Sequence, residues 1–308
     1  MKDSKIKIIF LCGPTGVGKT ALSCELAALF KGEIIVADSQ AVLKGFDIGT
    51  AKATLEERQE IPHHLFDVVE FGESFNAAQF AELADQAILE IISRGKNVFI
   101  SGGTGLYFKA LLHGFMEAPS SDLKFRQNLE KRIQKEGLTA LYAELAHSDP
   151  QRAREIHPND THRIMRALEI YHLSGLKPSE LAQNHQFQEN KYEALKIGLH
   201  LPRDELYRRI NQRVLSMLNH GWVEEVKSLL EKGYDLIHGK TQTIGYPWLA
   251  QYVQGEIFLK EAIEEIQKET RNLAKRQIAW FKRDPAIHWF RPHQKEEITR
   301  FIRLHLET

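Results

Sequence analysis

Eight residues near the start, Gly13-Pro14-Thr15-Gly16-Val17-Gly18-Lys19-Thr20, follow the apolar run Ile6–Leu11. The spacing is G-x-x-x-x-G-K-T at the end of an expected strand and the start of an expected helix. Glycines there let the backbone curl so that its N–H groups face phosphate oxygens. The helix that follows adds the positive end of its dipole. Lys19 supplies a point charge, and the Thr20 hydroxyl can ligate Mg²⁺. The pattern predicts a bound di- or triphosphate, cradled by Gly13, Thr15, Gly16, Gly18, Lys19 and Thr20. It does not by itself imply ATP hydrolysis, because a pyrophosphate ester fits the same cradle.

Asp38 ends the run Ile34-Ile35-Val36-Ala37-Asp38-Ser39. A carboxylate at that place can ligate Mg²⁺, act as a general base, or cap the next turn. Ser101-Gly102-Gly103-Thr104-Gly105-Leu106-Tyr107 repeats the logic of the first loop with a hydroxyl in place of the lysine. It reads either as a second anion or nucleotide contact or as a tight strand-to-helix turn that needs glycine. The segment Pro158–Ala167 opens a helix with His162, Arg163 and Arg166 in its first turns. Cations there oppose the helix dipole. They imply either a bound anion or local pairing with Asp160 and Glu169. Arg203, Arg208, Arg209 and Arg213 crowd one short helix. Arg271, Lys275, Arg276, Lys282 and Arg283 interleave with Trp280 and Phe281. Guanidinium and aromatic groups together suit RNA phosphates and unstacked bases. Dipole complementation accounts equally for the second cluster, because Glu261, Glu264, Glu265 and Glu269 precede it. His63-His64 lacks a cysteine partner and reads as loop packing or substrate contact rather than a metal site.

These groups need a frame. Strand and helix patterns alternate through the first third of the chain: strand Ile6–Cys12, helix Lys19–Phe30, strand Glu33–Ala37, helix Ala77–Arg94, strand Asn97–Ser101. That alternation predicts a parallel sheet with helices on both faces. Ligands then sit outside the carboxyl ends of the strands, where the three loops should converge. Pro119-Ser120-Ser121-Asp122 reads as a boundary and a helix cap, and residues 122–182 read as polar helices. A polar connector, Gln186–Lys191, leads back to a strand at Ala194–Leu201, and the remainder reads as helical. The expected fold is α/β, a P-loop NTPase-like parallel sheet flanked by helices, formed by residues 1–118 and 190–308. A helical insertion domain occupies 119–189.

The chain has 308 residues, with 41 Lys+Arg against 41 Asp+Glu. At zero net charge, nucleic-acid binding must come from local basic faces. Cys12 and Cys24 are the only cysteines, which excludes a disulfide framework or a zinc–thiolate site. No signal-peptide pattern precedes the first loop, and no apolar stretch approaches the roughly 18 residues of a membrane span. The expectation is a cytoplasmic protein without a membrane partner.

Taken in order, these motifs resemble the tRNA dimethylallyltransferase family, also called tRNA isopentenyltransferases. Matching segments are Gly13–Thr20, Ala37-Asp38-Ser39, Asp47-Ile48-Gly49-Thr50-Ala51-Lys52, Pro62-His63-His64-Leu65, Gly102–Tyr107, His157–Tyr171, Ile244-Gly245-Tyr246 and Ala274-Lys275-Arg276-Gln277 with Trp280-Phe281. The resemblance implies that dimethylallyl diphosphate sits in the first loop with Mg²⁺ on Thr20. N6 of adenosine 37, next to the anticodon, attacks the allylic carbon and pyrophosphate leaves. It assigns catalysis to Asp38, Thr104 and Arg213, with Arg209 second to Arg213. It assigns tRNA contacts to Asp38, Ser39, Gln40, Ala41, Thr104, Arg126, His162, Arg163, Arg166, Lys275 and Arg276. The insertion would meet the anticodon stem-loop, and the protein would act as a monomer. One departure stands out. The family usually reads Asp-Ser-x-Gln-x-Tyr, but here Ala41 and Leu43 replace the glutamine and tyrosine. Gln40, one residue away, is expected to supply the amide through a shifted turn. The competing readings are a P-loop kinase of a nucleoside or small metabolite, and a tRNA-binding paralogue with altered catalysis.

Overall fold

The computed structural model describes residues 5–114, 119, 122–185, 191–239 and 243–307. In chain order the elements are β1 (Lys7–Cys12), α1 (Lys19–Leu29), β2 (Gly32–Ala37), α2 (Leu55–Glu60), β3 (His63–His64), α3 (Ala77–Ser93), β4 (Asn97–Gly102) and α4 (Gly105–His113). The helices α5 (Leu123–Glu136), α6 (Leu138–Ser148), α7 (Pro150–Glu155), α8 (Thr161–Ser174) and α9 (Pro178–His185) follow. The chain then forms β5 (Glu193–Leu199), α10 (Arg203–Asn219), α11 (Trp222–Glu231), α12 (Tyr246–Val253), α13 (Leu259–Phe281), β6 (His288–Phe290) and α14 (Lys295–Glu307).

The six strands make one sheet in the order β3-β2-β4-β1-β5-β6, and every pairing is parallel. Side chains alternate across it. Ile8, Phe10 and Cys12 of β1 enter the core under α3 and α4, while Ile9 and Leu11 enter the core under α1 and α14. Both faces are therefore covered, as a parallel sheet requires. A third core joins α11, α12 and α13 to the stretch after β2 through Val42, Leu43, Phe46, Trp222, Tyr246 and Ile266.

The chain divides into two compact units, Met1–His113 with Asn190–Thr308, and Gly114–Glu189. The second unit packs α5–α8 around Leu129, Leu141, Leu145, Ile156, Ile164 and Leu168. Three of its helices, α5, α7 and α8, start on aspartate caps. Asp122 accepts from the Lys124 and Phe125 amides at 2.8 and 3.1 Å, Asp149 from the Arg152 amide at 3.0 Å, and Asp160 from the Arg163 amide at 3.1 Å. Such caps satisfy amides that have no partner inside the helix.

Three sequence readings need correction. The segment after β5 is not all helical, because His288–Phe290 joins the sheet beside β5. His63-His64 is not loop but a parallel edge strand on Ile34-Ile35. The stretch after β2, for which periodicity predicts no element before Ala77, contains α2, started by a reciprocal Thr54–Glu57 capping box. Two or three residues are too few for alternation to show, and six are too few for a helical period. Ser120, Ser121 and the connector residues 186–190 lie outside the described residues.

Candidate active site

Strand register puts three loops at one level. Cys12 pairs with Gly102 and with Gly198, and Gly102 pairs with Ala37. The chain therefore leaves β1, β2 and β4 side by side, at the carboxyl edge where open α/β sheets bind ligands.

The first loop curls as its spacing requires. Gly13 and Gly18 have φ of 148° and 103°. A Cβ on Gly13 would also stand 2.7 Å from the Leu199 carbonyl oxygen. Gly18 caps α1 in the left-handed region, so the helix begins at Lys19. The Lys19 ammonium donates to the Gly13 and Pro14 carbonyls at 2.9 and 2.8 Å, folded back across the mouth of the loop. Burial pulls its pKa down to about 8, with Arg213 also lowering it and Asp38 opposing both. Thr20 is exposed beside Lys19 in a cavity of about 330 Å³.

The second loop serves the first. The Thr104 hydroxyl accepts from the Ser39 amide at 3.0 Å and reaches the Ser39 hydroxyl at 3.4 Å. The Thr104 amide donates to the Ala37 carbonyl at 3.1 Å. Gln277 of α13 ties the two glycine loops together. Its Oε1 accepts from the Thr15 amide at 2.8 Å and its Nε2 donates to the Gly103 carbonyl at 3.1 Å. A Cβ on Gly103 would stand 2.2 Å from that Nε2. The glycine at 103 thus serves close approach, and Thr104 anchors the turn after Asp38. Gln277 belongs to the Ala-Lys-Arg-Gln run, but no local feature signals its role. Its partners lie 262 and 174 residues away.

Asp38 and Arg213 face each other's field between two cavities. Both line the 330 Å³ cavity of Lys19 and Thr20, and both line a smaller one of about 80 Å³ walled by Ile210, Val214, Met217 and Leu273. Asp38 Oδ1 accepts from the Gln40 amide at 2.9 Å, a local turn that leaves Oδ2 outside it. Burial lowers the pKa of Arg213, and the Asp38 carboxylate opposes that shift. Ala41 and Leu43 are buried in apolar cores, so neither offers a polar contact. Gln40 borders the smaller cavity, and its Oε1 is buried without a hydrogen-bond partner. The same holds for Trp222 Nε1 and Thr243 Oγ1 in that cavity. Buried orphan polar atoms are rare in proteins and mark places where a ligand or water completes the bonding.

Two further residues that motif reading left without a role hold the wall of this site. Glu225 accepts from the Asp47, Ile48 and Gly49 amides at 2.9, 2.8 and 3.4 Å and from the Tyr246 hydroxyl at 2.6 Å. The buried Lys52 ammonium donates to the Leu43 carbonyl at 2.5 Å and pairs with Asp47 and Asp67 at 2.8 and 2.5 Å. Together they fix the turn that brings Gly49 and Thr50 to the cavities.

The remaining RNA candidates are dispersed. In the helical unit, Arg126 grips Glu169 with two bonds of 2.7 and 2.8 Å. Arg166 donates to the same carboxylate at 2.5 Å and to the Pro119 carbonyl at 2.7 Å. Arg163 pairs with Asp160 at 3.3 Å, and His162 is exposed on the same first turn. The local pairings weighed from sequence are thus present. Lys275 and Arg276 are adjacent on α13 but border different cavities.

Glu169 is wholly buried. Burial would raise its pKa, but bonds from Arg126, Arg166 and the Asp122 amide hold it below the ordinary carboxylate range. Removing it strands two guanidiniums that still reach water. We expect Glu169→Ala to destabilise the helical unit by about 2 kcal/mol, less than the 3–5 kcal/mol of a fully buried pair. A urea midpoint unchanged from wild type would contradict this. Because the folded pKa is depressed, the contribution of Glu169 is lost as pH falls through the carboxylate range.

Among the described residues no group of three or more His, Cys, Asp or Glu could hold a metal alone. The donor at the first loop, the Thr20 hydroxyl, fits Mg²⁺, which takes one or two protein oxygens and completes its shell with phosphate and water. None of the helices is long and apolar enough to cross a membrane, among the described residues.

The profile of the IPP transferase family matches residues 41–284. The chain is 44% identical over 297 residues to tRNA dimethylallyltransferase 2 of Syntrophus aciditrophicus, covering 96% of each chain. It is 46% identical over 287 residues to tRNA dimethylallyltransferase 2 of Geotalea uraniireducens, covering 93% of each. Its fold matches the crystal structure of full-length tRNA isopentenylpyrophosphate transferase from Bacillus halodurans with a TM-score of 0.70 and 39% identity, over 98% of this chain and 97% of that one. It also matches a eukaryotic dimethylallyltransferase acting on tRNA, with a TM-score of 0.76 and 34% identity, over 89% of this chain and 69% of that one.

Proposed function

The chain belongs to the IPP transferase family, and from that premise we propose that it transfers a dimethylallyl group from dimethylallyl diphosphate to N6 of adenosine 37 in tRNA, releasing pyrophosphate. The observation that carries this reading is the pair Asp38–Arg213, set between the phosphate loop and an apolar cavity. An allylic diphosphate has one highly charged end and one apolar end. The two cavities offer surroundings of both kinds on either side of one carboxylate.

Each group has a physical task. Lys19 and the loop amides hold the diphosphate, and Mg²⁺ on Thr20 supplies added charge neutralisation when bound. The target base leaves its stack to reach the cleft. The N6 lone pair is delocalised into the ring, which makes it a weak nucleophile. As the N6–C1 bond forms, the C1–oxygen bond to the diphosphate breaks. Asp38 takes the proton that N6 gives up. Arg213 meets the charge that builds on departing pyrophosphate. Thr104 and Gln277 act as positioning residues, holding Ser39 and Thr15 against the two loops. Gln40, with its free Oε1, replaces the amide that Ala41 lacks. The insertion, residues 119–189 with Arg126, His162, Arg163 and Arg166, meets the anticodon stem-loop, and Lys275 and Arg276 add contacts from α13. The enzyme works as a cytoplasmic monomer. No observation favours the kinase alternative.

The reading is tested with labelled dimethylallyl diphosphate, Mg²⁺ and an unmodified tRNA carrying adenosines at positions 36 and 37. Label at position 37 supports it. Phosphoryl transfer from ATP to a small metabolite, with no label in RNA, would replace it with the kinase reading.

The state of Lys19 gives this function a pH dependence. The diphosphate binds the ammonium form. In the free protein that form is lost as pH rises through about 8, not 10.5. We expect kcat/KM for dimethylallyl diphosphate to fall about tenfold per pH unit above that point. Lys19→Arg should abolish the fall between pH 7 and 9, because guanidinium stays charged. A wild-type profile flat to pH 9 would refute the assignment.

A further inference from the structure

We propose that a groove between the start of α10 and the second half of α13, separate from the reaction cavities, binds a single-stranded stretch of the acceptor RNA. Phosphates would lie on Arg203, Lys275 and Lys282, and an unstacked base would lie on the Arg203 guanidinium. The inference rests on the tRNA-prenylating reading and extends it to a surface that the matching motifs do not reach, Lys275 apart.

The groove is large, about 900 Å³, against about 330 Å³ for the phosphate-loop cavity. Its apolar floor includes Leu206, Ile278 and Trp289. Arg203 lies over the Tyr207 ring at 5.2 Å from its centroid, within cation–π reach. A guanidinium held beside an aromatic ring offers an unstacked base a planar cation to lie on.

Charge singles out an RNA strand as the occupant. Arg203, Lys275, Lys282 and nearby Arg291 form no ion pair among the described residues, whereas neighbouring Arg209 pairs with Glu205 at 3.0 Å and Lys196 with Asp284 at 2.7 Å. No carboxylate lines the groove. The chain as a whole carries 41 cations against 41 anions, so a cluster of unpaired cations is a local feature. His200 at the rim has its pKa lowered by burial, then by Arg291 and Lys282. Phosphates beside an apolar and aromatic floor match this chemistry.

Place supports the same partner. His200 directly follows β5, and Arg291 directly follows β6, so the groove opens at the carboxyl edge of the sheet. The phosphate loop lies alongside. A Cβ on Gly18 would meet Arg209 at 3.9 Å and Pro292 at 4.0 Å. A strand whose adenosine enters the cleft can continue into this groove.

The test is equilibrium binding of unmodified tRNA to the full chain across a salt series, with prenyl transfer assayed on the same tRNA. The double variant Arg203→Gln/Lys282→Gln should bind about tenfold more weakly at 0.1 M salt. Its log–log salt slope should fall by about 0.7–0.9 for each cation removed. Arg203→Lys should keep the slope yet still weaken binding several-fold, because ammonium does not stack. A double variant with wild-type slope and affinity, alongside active wild-type transfer, overturns the groove and leaves the function standing. A wild-type protein that neither binds nor prenylates tRNA overturns both.

Discussion

Asp38→Asn will lower kcat for prenyl transfer by about 10²–10⁴-fold while leaving the affinity for dimethylallyl diphosphate close to wild type at pH 7. The substitution isolates the chemistry because of how Asp38 is held. Its Oδ1 accepts from the Gln40 amide at 2.9 Å, and an asparagine carbonyl oxygen can do the same. The turn therefore survives, while the proton acceptor is lost. The carboxylate also favours the charged forms of Lys19 and Arg213. Its removal lowers the Lys19 pKa further, so affinity would weaken above neutral pH before it weakens below. Single-turnover rates at pH 7, with ligand binding measured separately, separate the two effects. Transfer at the wild-type rate would remove Asp38 from its role as base.

Arg213→Gln will slow the chemical step by about 10²–10³-fold, the range seen when one preorganised donor to a developing anion is lost. Burial already strains the charged form of Arg213, and no carboxylate forms an ion pair with it among the described residues. A partly desolvated guanidinium that no carboxylate neutralises is set to meet the charge on departing pyrophosphate. Arg213→Lys should recover part of the rate, since charge returns without the planar fork. If Arg213→Gln raised KM for dimethylallyl diphosphate and left kcat alone, Arg213 would serve uniform binding rather than the transition state.

Local chemistry was legible in the chain before any coordinates. Glycine at 13, 16 and 18 with Lys19 announces a phosphate loop because its dihedrals and charge are properties of consecutive residues. Asp122 announced a helix start for the same reason, since a cap reaches only two or three residues onward. The alternation of strands and helices through residue 102 was enough to expect a parallel sheet. The order of the motifs was enough to indicate a family.

Other features depend on residues far apart in sequence, and only the folded chain decided them. The level exit of β1, β2 and β4 is a matter of register, from Cys12 to Gly102 to Ala37. Gln277 holds two glycine loops across 262 and 174 residues, which no local pattern encodes. Lys275 and Arg276 read as one basic patch but look into different cavities, because successive helical residues point about 100° apart. Arg126 and Arg166 lie 40 positions apart in sequence, and only the fold brings both onto the buried Glu169. Periodicity and loop chemistry act within a turn or two of chain, so the sequence alone determined most of the elements and the phosphate cradle, and through the resemblance its motifs carry it implied the reaction. Close approach, burial and the choice of ion-pair partner arise only when distant segments meet, so tertiary structure alone decided which cations stay free for a ligand.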